Sequence, residues 1–539
     1  MLGGNFLNYF IPDWTTSSGN LESDYMMNII QLFKNNREPY HLLLLEHIPF
    51  LRYQMHAYEL EVAQMTSLYD RLQDIQKTNG FPLDVDDLPL AQNVEKVYTP
   101  FGITLIKENQ PFGEIRFNSF GFAEQMSIMT EPYRQILFFD DRGFISAKSF
   151  QNDKGEQVKK IYYNESGMEK CVEYFGENPH VELVNPRKSG LKKSQYRSMD
   201  ELLLEMMNQF QLSLEPEDQI LCLTNERSLR LVKTNEERKR VIQIVSDAHR
   251  LSTCASDEKA ALWAGENKII TDSTSNQTAL FSLMKQSGVN DLSRIQRIPI
   301  YTTSFQLGNS NSIPQLVLYW NAGELNEDVR RIHHLLLQKV IQNDRYDLII
   351  ETTTFQSEVV LREAQKELVD THFGVDSESE EYQKVLKYFE AKKAKKLFKT
   401  DEEAIEEIRE SKNWRNLVEA VDVNFRIHFR LDSHLTTIRQ DFNETRLYID
   451  LSAEVDVQKQ ALAVSAGIPQ LVRKKTDYVD DKKNGQIIGQ IRELDAAIAF
   501  YLDDLNNWNQ ALVENISYIE RFSEENIIKQ WRELLEGVV

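Results

Sequence analysis

Apolar residues follow two spacings along the first hundred positions. Asn8–Trp14 ("NYFIPDW") begins with a short apolar run that predicts a strand, and the polar loop "TTSSGN" follows. Met26, Ile29, Ile30 and Phe33 then recur every three or four residues, which predicts a helix with one buried face. His41–Pro49 ("HLLLLEHIP") predicts a buried strand closed by its proline, and "LRYQMHAYELEVAQMTSLYDRLQDIQ" reads as helical. Strand and helix in alternation predict a parallel sheet.

The rhythm changes at about Val94. Up to about Glu182 the chain is a series of short strands. "RQILFFDDRGFISAKSF" predicts two strands around Asp141-Arg142-Gly143. "NDKG" and "NESG" are turns on either side of "VKKIYY". Alternating segments between such turns predict an antiparallel meander inserted into the α/β domain, with "NPRKSGLKKSQYRSMD" (Asn185–Asp200) as the polar return linker.

The α/β rhythm then resumes. "DQILCLTNERSL", "RVIQIVSDAHR", "NKIITDSTSNQTALFSLM" and "RIQRIPIYTTSF" each predict a strand, the third entering a helix through a Ser- and Thr-rich cap. "GNSNSIP" (Gly308–Pro314) reads as an inter-domain linker. A second set of strands follows in "QLVLYW", "DLIIETTT", "FRIHFRL", "RLYIDLS" and "IPQLVRK", and from about Ile488 the chain reads as helices alone. The expected organisation is a first Rossmann-like domain in two parts, 1–93 and 201–307, around an insertion at 94–200. A second Rossmann-like domain spans 315–500, and C-terminal helices, 501–539, cross back to the first.

A chain of 539 residues exceeds one ordinary core, which agrees with several domains. Sixty-two Lys and Arg against 83 Asp and Glu give a net charge of −21, so nucleic acid is not an expected partner. Cys171, Cys222 and Cys254 form no CxxC pair, which favours a reducing compartment. No apolar run approaches the ~20 residues of a membrane span, and no secretory signal is visible. These features predict a cytoplasmic protein. Walker A, GxGxxG, GxSxG and HExxH motifs are absent, and the adjacent His333 and His334 are poorly spaced for a shared metal. No catalytic residue, metal or cofactor is expected.

The order of segments resembles the GT-B glycosyltransferase architecture. "WTTSSGNLESD", "VSDAHR", "ITDSTSNQTALFS", "RIPIYTTS" and "AGIPQLV" with a following "NG" are similar to segments of bacterial glycosyltransferases that modify serine-rich repeat adhesins. Within that group, "YFIPDW", the stretch at 51–76 and a degenerate donor site resemble the first accessory secretory protein (Asp) family of the accessory Sec system. The resemblance implies a subunit that associates with two sister accessory proteins. It also implies export of a glycosylated serine-rich repeat adhesin through a dedicated motor ATPase. An active GT-B glycosyltransferase and a glycan-binding module for the adhesin are the alternatives.

In active enzymes of that kind two glutamates flank the donor sugar and ribose. Counted back from Pro469 in "AGIP", with Gly467 before it, their positions here hold Glu454 and Leu462. Leucine accepts no hydrogen bond from ribose, and losing a charge-assisted bond costs ~1.5–3 kcal/mol. The same enzymes place an Arg and a Lys after the first strand of the second domain. Here Leu316–Val329 has neither, and three acids; Arg330 and Arg331 fall later, inside a helix. Missing cations work against leaving-group stabilisation. Glu454 reads better as a carboxylate at a helix N-terminus, and His249 as a surface or packed histidine.

"EYQKVLKYFEAKKAKKLFKTDEEAIEEIRE" (Glu381–Glu410) interrupts the second domain as a basic helix, with Lys392, Lys393, Lys395 and Lys396 at its centre. A solvated helical face, an acidic partner and anionic lipid at the inner face of the cell membrane are the three readings.

Overall fold

The computed structural model describes residues 7–14, 21–88, 90, 93–99, 102–118, 120–184, 190–225, 228, 241–246, 268–289 and 291–536. The chain divides into two compact units, 1–300 with 532–539, and 301–531. The "TTSSGN" loop up to residue 20, the start of the return linker (185–189), His249 and Cys254 lie outside the described residues; Cys171 and Cys222 are buried free thiols.

In the first unit a parallel sheet runs in the order Ile295–Arg297, Ile269–Thr271, Val241–Val245, Gln219–Leu223, Asn8–Ile11, Tyr40–Leu44, Met65–Ser67. Met26, Ile29, Ile30 and Phe33 are all buried on the helix Tyr25–Asn35, which Asp24 caps by accepting from the Met27 amide at 2.7 Å. Ser273 caps the helix Thr274–Gln286 in the same way.

The meander is a ten-stranded antiparallel sheet among the described residues, from Val94–Thr99 to Gln195–Tyr196 in strictly sequential order. A buried charge cluster fixes it to the α/β layer. Arg142 bonds Asp140 at 2.6 Å on its own turn, and reaches Asp70 at 3.0 Å and the Lys77 carbonyl at 3.0 Å. Arg52 joins the cluster through Asp70 at 2.7 Å and through its amide to Asp141 at 2.8 Å. Gly143, at φ +87°, lets the Phe81 carbonyl come so close that a Cβ there would lie 2.4 Å from it.

The second unit carries a six-stranded parallel sheet among the described residues. Its order is Ile427–Leu431, Tyr346–Thr352, Leu316–Gly323, Thr445–Asp450, Gln470–Val472, Gly485–Ile487. In chain order this is 3-2-1-4-5-6, the Rossmann arrangement, with its switch point between Leu316–Gly323 and Thr445–Asp450. The α/β class with an antiparallel insertion and C-terminal helices is the fold expected from the sequence.

Several local expectations need correction. Residues 51–76 are not one helix. Leu51–Ala57 stops at Glu59, in the left-handed region at φ 55°; Met65–Ser67 then adds a strand beside Tyr40–Leu44, and Ser67 caps Leu68–Leu72. The strand predicted at His41–Pro49 ends at Leu44. The return linker supplies the edge strand Gln195–Tyr196 and the cap Ser198 of helix Met199–Gln211. Gly308–Pro314 does not join the units, whose boundary falls between Ile300 and Tyr301. It lies within the second, where the Gly308 amide bonds the Ala466 carbonyl and the Asn309 amide bonds the Asn443 carbonyl. The basic stretch forms two helices, Glu380–Lys393 and Lys399–Arg409, because Lys395 turns the chain at φ 55°. The final helix, Glu524–Leu535, starts in the second unit, and from Arg532 on the chain groups with the first, where Arg532 pairs with Glu38.

Candidate functional site

Ligands of open α/β sheets bind outside the carboxyl ends of the strands at the switch point. In the second unit three strand ends converge there, and each closes an apolar run with a polar residue: Asn321, Glu351 and Asp450. All three are buried. Lys459 reaches them from the helix Val457–Ser465. Its Nζ lies 2.8 Å from Glu351, 3.2 Å from Asp456 and 3.3 Å from Asn321. Burial alone would lower the Lys459 ammonium, but Asp456 and Glu351 outweigh it and hold the pKa above its ordinary value.

The remaining bonding capacity is also used. Glu351 accepts from the Tyr319 hydroxyl at 2.5 Å and from the Ser433 amide at 3.1 Å. Burial first, then the Glu351 charge, keeps that phenol protonated. Asp450 accepts from Asn321 at 3.2 Å, from the Ser452 hydroxyl and from the Asp456 amide at 2.8 Å. Arg473, at the end of the next strand, donates to Asp328 at 2.7 Å and to the Leu451 carbonyl at 3.3 Å. Lys474 pairs with Glu454 at 3.2 Å. The cations Lys459, Arg473 and Lys474 therefore each face carboxylates of their own chain.

The sequence-predicted residues are distributed differently from one another. Glu454 is exposed, its side chain 93% accessible, and does not cap the helix as expected. Asp456 is the cap, accepting from the Lys459 amide at 3.0 Å, because it sits directly before Val457. Leu462 faces away from the polar cluster. It packs on an apolar layer with Phe442, Ile438 and Ala466, and lines a cleft of about 370 Å³ with Leu307, Arg439 and Asn443. Gly467, at φ +76°, and Pro469 shape the turn into Gln470–Val472, and the Pro469 carbonyl accepts from the Tyr448 amide. Arg330 and Arg331 are exposed on helix Glu327–Gln342, where Arg331 pairs with Glu327. His333 is buried, stacks on Trp320, and burial lowers its pKa to about 4; His334 is exposed.

Sequence reasoning missed Lys459, Arg473, Glu351, Asn321 and Asp450. A signal was present: each of the last three ends an apolar strand with a residue that needs a buried partner. In the first unit a smaller cavity, about 30 Å³, lies at the corresponding switch point among Ile11, Leu45, Cys222, Val241 and Asn225.

Two Rossmann-type sheets in sequence order, the first interrupted by an antiparallel insertion and the second running 3-2-1-4-5-6, give the chain a GT-B-like fold. The chain is similar over 99% of its length to the pneumococcal O-GlcNAc transferase GtfA in complex with UDP and GlcNAc, covering 99% of that chain with a TM-score of 0.66 at 12% identity. It belongs to the family of the first Asp protein of the accessory Sec system, whose model matches residues 7–538. The family's protein from Streptococcus gordonii is 27% identical, the match covering 98% of this chain and 99% of that one. The structure of accessory secretory protein 1, 2 and 3 from Streptococcus pneumoniae contains a chain with a TM-score of 0.71 at 19% identity, 99% of each being covered.

Proposed function

We propose that this protein is a non-catalytic, glycosyltransferase-like subunit of the accessory Sec system. In this reading it acts in a complex with two sister accessory proteins and serves the motor ATPase that exports a glycosylated serine-rich repeat adhesin. Membership of the family and the likeness to a chain of a three-protein accessory complex support the assembly. The observation that carries the non-catalytic reading is the pairing of Lys459 with Glu351 and Asp456. Stabilising a leaving diphosphate needs preorganised cations free to meet developing negative charge. Here Lys459, Arg473 and Lys474 are already neutralised by the chain's own acids.

Calorimetry with several uridine-diphosphate sugars tests this. The expected outcome is no micromolar binding and no transfer; binding with turnover would end the idea. Leu462→Glu alone should restore neither, because Leu462 contacts an apolar layer and the cations stay paired.

Contact with anionic lipid is the second part of the proposal. Lys392, Lys393, Lys395 and Lys396 are exposed and make no ion pair among the described residues, whereas Lys384 and Lys399 pair with Glu380 and Glu403. Phe398, 68% exposed, follows them in the chain. Lys395 and Lys396 and an exposed aromatic ring suit the headgroup layer of a membrane, while Lys392 and Lys393 lie over the rings of Phe389 and Phe425; each lysine near such a surface contributes ~1 kcal/mol. Among the described residues no helix is long and apolar enough to cross a membrane, so the contact would be peripheral.

A further inference from the structure

The ten-stranded antiparallel sheet has two edges, and they are treated differently. At one, Gln195–Tyr196 is two residues long, its Tyr196 is buried, and the chain turns directly into a helix capped by Ser198. At the other, Val94–Thr99 pairs with Gly102–Lys107 along all six of its residues without a register shift. Among the described residues, the outward-facing backbone groups of Val94–Tyr98 pair with no further strand.

Soluble proteins guard such edges with charged side chains, prolines, bulges or brevity. Val94–Thr99 is six residues long and carries charge only at Glu95 and Lys96. It holds no proline and no bulge. Its one lysine is tied back: the Lys96 ammonium lies 2.7 Å from Asp86 and also donates to the Val85 carbonyl. Val97 and Tyr98 are 44% and 68% exposed. Val94 belongs to the apolar layer of the sheet, so alternation puts Lys96 and Tyr98 on that face and Glu95, Val97 and Thr99 on the other.

We infer that Val94–Thr99 is a docking edge that accepts an extended strand of a different polypeptide, extending the sheet by backbone pairing. Main-chain bonds would supply affinity; the side chains select the occupant. That strand carries apolar residues beside Val97 and Tyr98 and a lysine or arginine beside Glu95, which makes no ion pair among the described residues. A second copy fits poorly, because it would bring another net charge of −21 against the first and present glutamate again. The inference names a surface for the hetero-complex of the proposed function and rests on that reading.

The test uses the full chain co-expressed with the two sister proteins, one carrying an affinity tag. The variant is Val97→Lys with Tyr98→Lys, two exposed positions where lysine is compatible with the strand. Circular dichroism and Tm check that it folds. Co-purification should fall at least tenfold for the variant. In the parent complex, amides within 94–99 should exchange hydrogen more slowly than in the free chain. If the parent assembles, the variant assembles equally and those amides gain no protection, the edge is not the docking surface. If the parent forms a homodimer that the variant loses, the occupant is a second copy and the inference is wrong. If the parent captures neither sister protein, the proposed function itself fails, and this inference falls with it.

Discussion

Replacing Lys459 by methionine separates a structural lysine from a ligand-binding one. The substitution keeps most of the length and the apolar stem of the side chain and removes the charge. Glu351 then stays in place at 2% exposure without its ion-pair partner. Removing one partner of a buried ion pair costs about 3–5 kcal/mol, since the other charge is left uncompensated. The Tyr319 hydroxyl and the Ser433 amide still donate to Glu351, which favours the lower end of that range. Asp456 is one-third exposed and adds little through its own lost pair. The expected loss is therefore about 3 kcal/mol, and roughly 2–4 °C of Tm accompanies each kcal/mol in a unit of 150–250 residues.

Two-unit unfolding need not be a single transition, so the measurement is the transition assigned to the second unit by calorimetry. The paired variant Lys459→Met with Glu351→Gln should recover most of the loss, because the amide keeps an acceptor for Tyr319 and Ser433 and carries no charge. A lysine held for a diphosphate would behave otherwise. Its removal would leave stability within about 1 kcal/mol of the parent and change only ligand binding. That result would refute the reasoning.

The Asp141 carboxyl gives a pH dependence. Burial, then the neighbouring Asp140, push its pKa up to about 7 in spite of Arg52. The folded state thus holds a proton that the unfolded chain releases near about 4, so this group's contribution is full at low pH and is lost as pH rises to about 7. Melting curves of the parent between about pH 4 and 8 should show that loss, and Asp141→Asn should flatten it; equal slopes would refute the assignment. For the lysine turn, changing Lys392, Lys393, Lys395 and Lys396 together to Glu should abolish flotation with anionic liposomes while leaving circular dichroism unchanged. Parent binding should weaken with salt, as the Debye length shrinks from ~10 Å at 0.1 M to ~3 Å at 1 M. Undiminished binding by the variant would place the membrane contact elsewhere.

Strand and helix periodicity made most of the architecture legible, because burial on both faces leaves continuous apolar runs such as those ending at Asn321 and Asp450. It failed where a local conformation broke a helical composition. Residues 51–76 contain Leu, Met and Tyr at helical spacing, yet pairing beside Tyr40–Leu44 draws Met65–Ser67 into the sheet. At Lys395 a single left-handed residue split a helix that its lysine-rich composition favoured throughout. Around Glu454–Pro469, sequence spacing located the loop and helix but not which side chains turn inward. Lys459 and Leu462 are three residues apart on one helix; the first enters the polar cluster and the second packs on the apolar layer.

Helix N-termini at a switch point carry partial positive charge and unsatisfied amides, which is why they bind phosphates. In this chain those ends meet carboxylates first. Asp456 accepts from the Lys459 amide at the start of Val457–Ser465, and its own amide bonds Asp450. Helix Glu327–Gln342 is capped by Asn326 and has Glu327 and Asp328 in its first turn, with Arg473 drawn onto Asp328. An incoming diphosphate would have to displace Asp328 from Arg473 and both Glu351 and Asp456 from Lys459, and then sit beside the displaced charges. The cost of that exchange supports the non-catalytic reading proposed for this chain, and it can be checked. Neutralising the acids while keeping the cations, as in Asp328→Asn with Asp456→Asn and Glu351→Gln, should raise affinity for pyrophosphate measured by calorimetry. If the triple variant binds pyrophosphate no better than the parent, the site is closed by shape and not by charge.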